Sequence, residues 1–411
     1  MTGRVLWVTA EAPDHERGGG SIRQAHLIDG LVRAGAQVDL LLAAELADAA
    51  VADAVSSVRT VLVPPRPAPA SRAARRFHDV RRVAWSRLPA EVADKLGERA
   101  VLGSALRDLV AAPGLRPYDA VHVEHLGLAG IIPPGMGGLR SLGVQNVPSR
   151  MATQALALAP GRRQRLLLVG EAAAAHHFQR RVPESADVVA VVSEEDGREL
   201  LAGGRGRVSA GATPEVLITP NGVDPTRFPA SALPDGYRVV LTGTLDFLPN
   251  VDAACWFARE VLPLVRRREP RAELDVVGRR PVPDVLSLSS LDGVTVHPDV
   301  PAVAPYLQAA RVAVVPVRIG TGSRVKALEA MAAGRPVAGT AIGLEGIDVD
   351  PGRDALVGDT PETMADAVVR LLADTDLARR VAEAGRRLVV SRYRWADIAD
   401  AFGSRLLAGA E

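Results

Sequence analysis

VPVRIGTGSRVKALEAMAAGRPV, from Val315 to Val337, decides how this chain is read. Val315 to Val317 closes a short apolar run of the kind that forms a buried parallel strand. Gly320 and Gly322 interrupt it, and from about Ser323 the apolar residues recur at helical spacing. A strand, a glycine loop and a helix in that order belong to a βαβ unit. Glycines let backbone N–H groups approach an anion closely, and the helix N-terminus adds unpaired donors and a favourable dipole. Arg324 and Lys326 can bring two positive charges to the same place. Glu329 lies six residues after Ser323, roughly 9 Å along a helix at ~1.5 Å per residue. A carboxylate there can accept paired hydrogen bonds from a ribose diol while phosphates occupy the helix start. An ordinary strand–loop–helix with solvated Arg324 and Lys326 is the other reading of these residues.

The same alternation extends in both directions. RVLWVTA (Arg4 to Ala10) reads as a buried strand, and the loop EAPDHERGGGS, with Gly18, Gly19 and Gly20, separates it from a helix IRQAHLIDGLVRAG stopped by Gly35. AQVDLLLA is the next strand. Further strand signals lie at 118–125, 139–146, 186–193 and 215–222. A second series runs through 237–245, 272–278, GVTVHPDV, 311–317 and RPVAGT, with helical stretches such as VDAACWFAREVLPLVRRR between them. The pattern predicts two serial α/β, Rossmann-like domains, 1–225 and 226–393, joined near Pro220 to Pro234. The segment from Pro361 is helical, with Gly385 and Tyr393 to Trp395 as its expected breaks, and residues 394–411 are expected to return to the first domain.

Composition removes several classes of function. A chain of 411 residues exceeds one ordinary core. Its 47% hydrophobic and 24% charged content is a normal globular balance. A net charge of +1 lacks the basic excess of bulk nucleic-acid binding. Cys255 is the one cysteine, so no intramolecular disulfide forms and a reducing cytosol is the expected compartment. The apolar run Val5 to Ala10 stops at Glu11, too short for a signal-peptide core, and no stretch approaches the ~18 apolar residues that cross a bilayer. Lys95 and Lys326 are the two lysines in an arginine-rich chain, so a lysine in the decisive stretch carries a little extra information.

That stretch closely resembles the donor site of the retaining GT-B glycosyltransferases of family 4, also called group 1. The run LEAMAAGRPV is similar to their donor-site helix, in which the glutamate before Ala-Met binds ribose; the resemblance places that role on Glu329. Eight residues earlier the family usually has a glutamate against the donor sugar, and this chain has Thr321. The GTGSRVK form resembles a subgroup with Gly-x-Gly-Thr/Ser-Arg-x-Lys, which adds Gly322 and Ser323 to the donor loop. VVLTGTLDFLPNVDAACWF resembles the family's first strand and loop of the second domain, where Gly243 permits approach to phosphate. Family members often place an arginine and a lysine there, but this chain has Thr244 and Pro249, which leaves Arg324 and Lys326 to hold the diphosphate. LDVVGRRP, with Gly278 and Arg279, and VHPDVP, with Asp299 and Val300, resemble the segments beside the nucleobase. The family also uses the Gly18–Gly20 loop near the donor phosphates, and ITPNGVD resembles its approach to the interdomain hinge.

In the first domain the stretch VHVEHLGLAG offers His122, Glu124 or His125 for a sugar contact. Strand alternation sets His122 and Glu124 on one face and His125 on the other; His125 with Glu124 is the expected pair, and Gln145 and Asn146 end the neighbouring strand. SRAARRFHDVRRVAWSRL, Ser71 to Leu88, suits a solvated surface helix or one resting on anionic lipid or an anionic acceptor.

The resemblance implies two Rossmann-like domains facing each other across a cleft and transfer of a sugar, with retention, from a nucleotide sugar, UDP by default. The nucleotide sugar is a co-substrate, no cofactor is expected, and no Asp-x-Asp motif or His/Cys cluster with metal spacing is evident. The expected setting is cytoplasmic, with peripheral contact at the inner membrane face as its extension. The acceptor, a glycan, a lipid or a natural product, has no motif. Alternatives are a GT-B nucleotide-sugar 2-epimerase and a non-catalytic GT-B partner subunit, the latter motivated by Thr321.

Overall fold

RVLWVT is buried from Val5 to Thr9 because it has no polar face to offer water, and a strand apolar on both sides belongs inside a parallel sheet covered by helices. In the computed structural model, which describes residues 3–15, 18–42, 59–62, 90–112, 114, 116–133, 136, 138–159, 161–202 and 213–410, this strand lies at the middle of the first of two compact units. That unit comprises Met1–Thr219 with Ala396–Glu411, and the second comprises Pro220–Trp395. The sequence reading set the join at 225/226 and the returning tail at 394.

The first unit holds Arg4–Thr9 (β1), Gln37–Leu42 (β2), Arg59–Leu62 (β3), Ala120–Glu124 (β4), Leu139–Val144 (β5), Val188–Val191 (β6) and Glu215–Ile218 (β7). They form one parallel sheet in the order β3-β2-β1-β4-β5-β6-β7. The order reverses between β1 and β4. Loops leaving the carboxyl ends of two such strands diverge and open a crevice, where α/β sheets bind ligands. The core on one side joins Leu6, Val8, Val121 and Val123 to Leu102, Leu106 and Val189. On another flank the helix Gly19–Arg33 meets the helix Trp395–Ala408 at very close range, since a Cβ on Gly30 would stand 2.1 Å from the Ala399 carbonyl oxygen. Arg33 pairs with Asp400 at 2.7 Å beside that crossing.

The second unit repeats the plan. Arg238–Thr244 (β8), Glu273–Arg279 (β9), Val294–Pro298 (β10), Val312–Val315 (β11), Val337–Gly339 (β12) and Leu356–Val357 (β13) run parallel in the order β10-β9-β8-β11-β12-β13. Its strands feed two cores by simple alternation: Leu241, Val276 and Val314 enter one cluster, while Val240, Val277 and Val315 enter the other. The reversal falls between β8 and β11, the strands that precede the two glycine loops singled out in the sequence.

Several boundaries differ from the sequence reading. Gly19 and Gly20 are the first two helical residues rather than loop, with Gly18 at φ 67° before them. The helix after the decisive loop begins at Val325, not Ser323. Gly385 does not break its helix, Thr375–Arg392; the interruptions fall at Asp374, whose carboxylate accepts from Leu377 N at 2.9 Å, and at Tyr393. Gly385 is there for space, because a Cβ would lie 2.8 Å from the Asp354 carbonyl oxygen. The basic stretch Ser71 to Leu88 lies outside the described residues. Among the described residues no helix is long and apolar enough to cross a membrane.

Candidate active site

In the second unit, β8 and β9 end side by side on a pair of glycines. Gly243 and Gly278 are register partners, and a Cβ on Gly278 would stand 1.7 Å from the Gly243 carbonyl oxygen. The chain then turns at Thr244 into the helix Leu248–Trp256, whose Asn250 points back to the strand end. Asn250 Nδ2 donates to the Thr244 carbonyl at 2.8 Å, and its Oδ1 accepts from Lys326 Nζ at 2.5 Å. A Cβ on Gly243 would lie 2.9 Å from that same Nζ. The lysine from the β11 loop is thereby held at the carboxyl end of β8.

Lys326 sits in the first turn of Val325–Ala332. Burial pulls its ammonium down to about 7, helped by neighbouring Arg324 and opposed by Glu329. Burial likewise pushes Glu329 up to about 7, against the pull of Lys326 and Arg227. Both residues keep some surface in contact with water, but their charged ends lie deep in the unit. Such a pair is poised to gain charge when a counter-charged or hydrogen-bonding ligand arrives.

The loop before this helix is fixed from three sides. Gly322 adopts φ 74°, a left-handed conformation that a side chain would strain. Asn221 donates its backbone N–H to Ser323 Oγ at 3.1 Å and its Nδ2 to the Ser323 carbonyl at 3.0 Å. Gly346 lets a further loop pass close, since its Cβ would stand 2.8 Å from Ser323 N. Thr321 is buried, and Arg324 Nη1 donates to its carbonyl oxygen. The Arg324 guanidinium also lies against Gly320, where a Cβ would come within 2.4 Å of it. Arg324 therefore folds back over its own loop, and Lys326 is the cation that reaches the strand ends. Arg279 ends β9, and Arg280 N donates to Asp299 Oδ1 at 2.7 Å, bringing that segment beside Val300. Val300 itself is partly buried and packs against the core.

The first unit has its own polar cluster at the β1/β4 reversal. Glu124 ends β4 fully buried, and Gly143 beside it leaves room, since a Cβ there would be 2.1 Å from Glu124 Oε2. Its carboxylate meets His122 Nε2 at 2.9 Å, accepts from Gln145 Nε2 at 2.9 Å, and has Arg23 Nε at 3.8 Å. His122 Nδ1 lies 2.9 Å from Ser141 Oγ. Burial alone would raise the Glu124 pKa, but these partners and His125 bring it down to about 2. His122 and Glu124 do share a face, as alternation requires, and the strand ends before His125, which has φ 88°. His125 Nε2 faces Glu11 Oε2 at 3.5 Å, and Ser21 Oγ donates to Glu11 at 2.8 Å. Burial raises the Glu11 pKa as well, yet His125 and Ser21 hold it below the usual carboxylate range. Gly20 belongs to this cluster, because a Cβ there would be 2.6 Å from Glu11 Oε2, whereas Gly19 is exposed at the helix start.

Asn250, Asn221, Arg227, Arg23 and Glu11 were not singled out as chemical groups in the sequence. Asn250 had a usable signal: it follows Pro249, which stands where the family often has a charge.

Residues 236–374 match the family model described as Glycosyl transferases group 1. The second unit carries a glycosyl transferases group 1 domain. The chain is thus a glycosyltransferase-type enzyme, and the helix bearing Lys326 and Glu329 falls inside the matched region. No curated protein matches the sequence. Among solved structures, the trehalose-6-phosphate phosphatase N-terminal domain of Candida albicans is similar at TM-score 0.68 and 13% identity, over 100% of this chain and 97% of that one. A UDP-forming α,α-trehalose-phosphate synthase from Burkholderia xenovorans is similar at TM-score 0.67 and 14% identity, over 100% of both chains. Anabaena HepE, solved in complex with UDP-glucose, is similar at TM-score 0.65 and 12% identity, over 98% of this chain and 99% of that one. The glycosyltransferase's two Rossmann-like units are those of the GT-B fold.

Proposed function

We propose that this enzyme transfers a hexosyl group from a UDP-sugar to an acceptor hydroxyl, with retention and without a metal in the chemical step. The observation that carries the proposal is Lys326 Nζ, held by Asn250 against the Gly243 strand end at the β8/β11 reversal. An ammonium beside a glycine-lined strand end and a helix start suits a diphosphate, and Glu329 on the same helix suits the ribose diol. The Anabaena protein solved with UDP-glucose has this fold and supports uridine as the base. As the bond from the anomeric carbon to phosphate oxygen breaks, negative charge grows on the diphosphate, where a fixed cation and backbone N–H groups stabilise it. The acceptor oxygen forms the new bond, and its proton leaves with the UDP.

His125 is the first-unit group proposed to touch the sugar. Glu124, enclosed and held ionised by its neighbours, serves as a positioning residue for that strand end. Arg324 is proposed to shape the donor loop, with Thr321, Gly322 and Ser323 supplying backbone around the phosphates and Gly278, Arg279 and Val300 bordering the base.

A calorimetric panel of UDP-, GDP- and dTDP-sugars with wild type, Lys326→Ala and Glu329→Ala tests the proposal. Selective uridine binding that both substitutions weaken is the expected result. Equal binding by all three proteins overturns the site. Uridine binding without transfer to any acceptor would favour a non-catalytic subunit.

A further inference from the structure

We propose that His15, His26 and Asp29 form a transition-metal site, fitted to Zn²⁺, that fastens the loop after β1 to the first helix. His26 and Asp29 are three residues apart on the helix Gly19–Arg33 and so share a face. His15 comes from the loop on the other side. One ligand atom from each lies within 4.8 Å of the others. His15 Nε2 and Asp29 Oδ2 are 3.2 Å apart, and the two imidazole rings stand 4.7 Å apart at 72°. Bonds of ~2.0–2.1 Å from nitrogen and oxygen to tetrahedral zinc put neighbouring ligand atoms roughly 3.3 Å apart, so this edge is already set.

All three side chains are partly exposed, which leaves a path from solvent and room for water as fourth ligand. Two imidazoles and one carboxylate favour zinc over the oxygen-seeking Mg²⁺ and Ca²⁺. The clamp would act on a loop with a known anchor at its other end, since Glu11 holds Ser21 and faces His125. The site is structural, and it stands whether or not the nucleotide reading above is right.

The test uses tag-free, full-length protein stripped with chelator and titrated with Co²⁺ and then Zn²⁺. The expected result is one equivalent of Co²⁺ giving a tetrahedral visible spectrum, displaced by Zn²⁺, with a higher Tm in Zn²⁺ and no change in Mg²⁺. His26→Ala, His15→Gln and Asp29→Asn should each weaken zinc at least about tenfold and abolish the Tm rise, while His176→Ala, on another helix, leaves both intact. His15→Gln, in the loop, keeps the test valid if a helix variant misfolds. Binding that is not saturable at one equivalent, or unchanged in His15→Gln and Asp29→Asn, overturns the proposal, as does an equal response to Mg²⁺.

Discussion

Lys326 and Asn250, 76 residues apart in sequence, meet through a 2.5 Å hydrogen bond that ties the helix after β11 to the helix after β8. The bond spans the sheet's reversal between β8 and β11. It also explains how a chain with Thr244 and Pro249 in its first glycine loop can still present a cation there. The charge comes from the neighbouring loop, and Asn250 aims it.

Removing that charge should cost more than removing its guide. A charge-assisted hydrogen bond to phosphate is worth about 1.5–3 kcal/mol, so Lys326→Ala should weaken UDP-sugar binding roughly 10- to 150-fold. Asn250→Ala should weaken it less and raise KM more than it lowers kcat. Isothermal titration and initial rates check both, and a double variant no worse than Lys326→Ala alone would show that Asn250 acts through the lysine.

Gly243 should be intolerant of any side chain. Its Cβ would stand 2.9 Å from both Lys326 Nζ and Asn250 Nδ2. The lysine can yield, but only by leaving the strand end. Gly243→Ala is therefore expected to keep the fold, read by circular dichroism, while reducing UDP-sugar affinity about as much as Lys326→Ala.

Donor binding should peak near neutral pH. A UDP-sugar carries constant charge around pH 7, so protein groups set the profile. Lys326, pulled down to about 7, is neutral above that pH, and binding a diphosphate must then take up a proton; affinity falls up to tenfold per unit on the alkaline side. Glu329, pushed up to about 7, is protonated below it and accepts fewer ribose hydrogen bonds, so affinity falls on the acid side. Lys326→Arg should flatten the alkaline limb and Glu329→Gln the acid limb in titrations from pH 5.5 to 8.5.

Glu124 should stabilise the first unit against acid. Its pKa is held at about 2, below its ordinary 4.5. A depressed carboxylate contributes stability that is fully present above the unfolded value and is lost as pH falls through the folded one. That window runs from about pH 4.5 to about 2. The shift corresponds to roughly 3 kcal/mol at ~1.4 kcal/mol per unit. Urea unfolding of wild type should therefore lose stability more steeply in that window than unfolding of Glu124→Gln, which already lacks the charge opposite buried Arg23 and His122.

Much of this molecule was legible because apolar runs and glycines carry physics that survives without context. VVLTGT and RVAVV read as buried strands, and the strand–glycine–helix order around Gly320 points to a Rossmann-like unit. Helix ends were less legible. Gly385 looked like a stop, but its role is a close contact with Asp354 from a distant segment. The direction of a long side chain was not legible at all: Arg324 and Lys326 look equivalent in sequence, yet one folds over Thr321 and the other reaches Asn250. Arg23 was missed for the same reason, since partners across a sheet leave no local pattern. Glu124 was visible as a residue, but the partners that enclose it were not.

Gly30 and Gly403, in the helices Gly19–Arg33 and Trp395–Ala408, offer a stability test independent of function. A methyl at Gly30 would stand 2.1 Å from the Ala399 carbonyl oxygen, and one at Gly403 would stand 2.7 Å from the Gly30 carbonyl oxygen. These neighbours are backbone atoms that cannot swing aside, so the helices must separate. Overpacking of this kind costs about 1–3 kcal/mol, and loss of the Arg33–Asp400 pair adds little at an exposed site. Gly170 is the contrast: it is helical, and among the described residues nothing lies within 4 Å of its would-be Cβ. Alanine there should stabilise by up to about 1 kcal/mol through helix propensity alone. In urea melts, Gly30→Ala should lower the midpoint and Gly170→Ala should raise it. A Gly30→Ala variant as stable as wild type would mean that the returning C-terminal helix does not cross the first helix at this glycine.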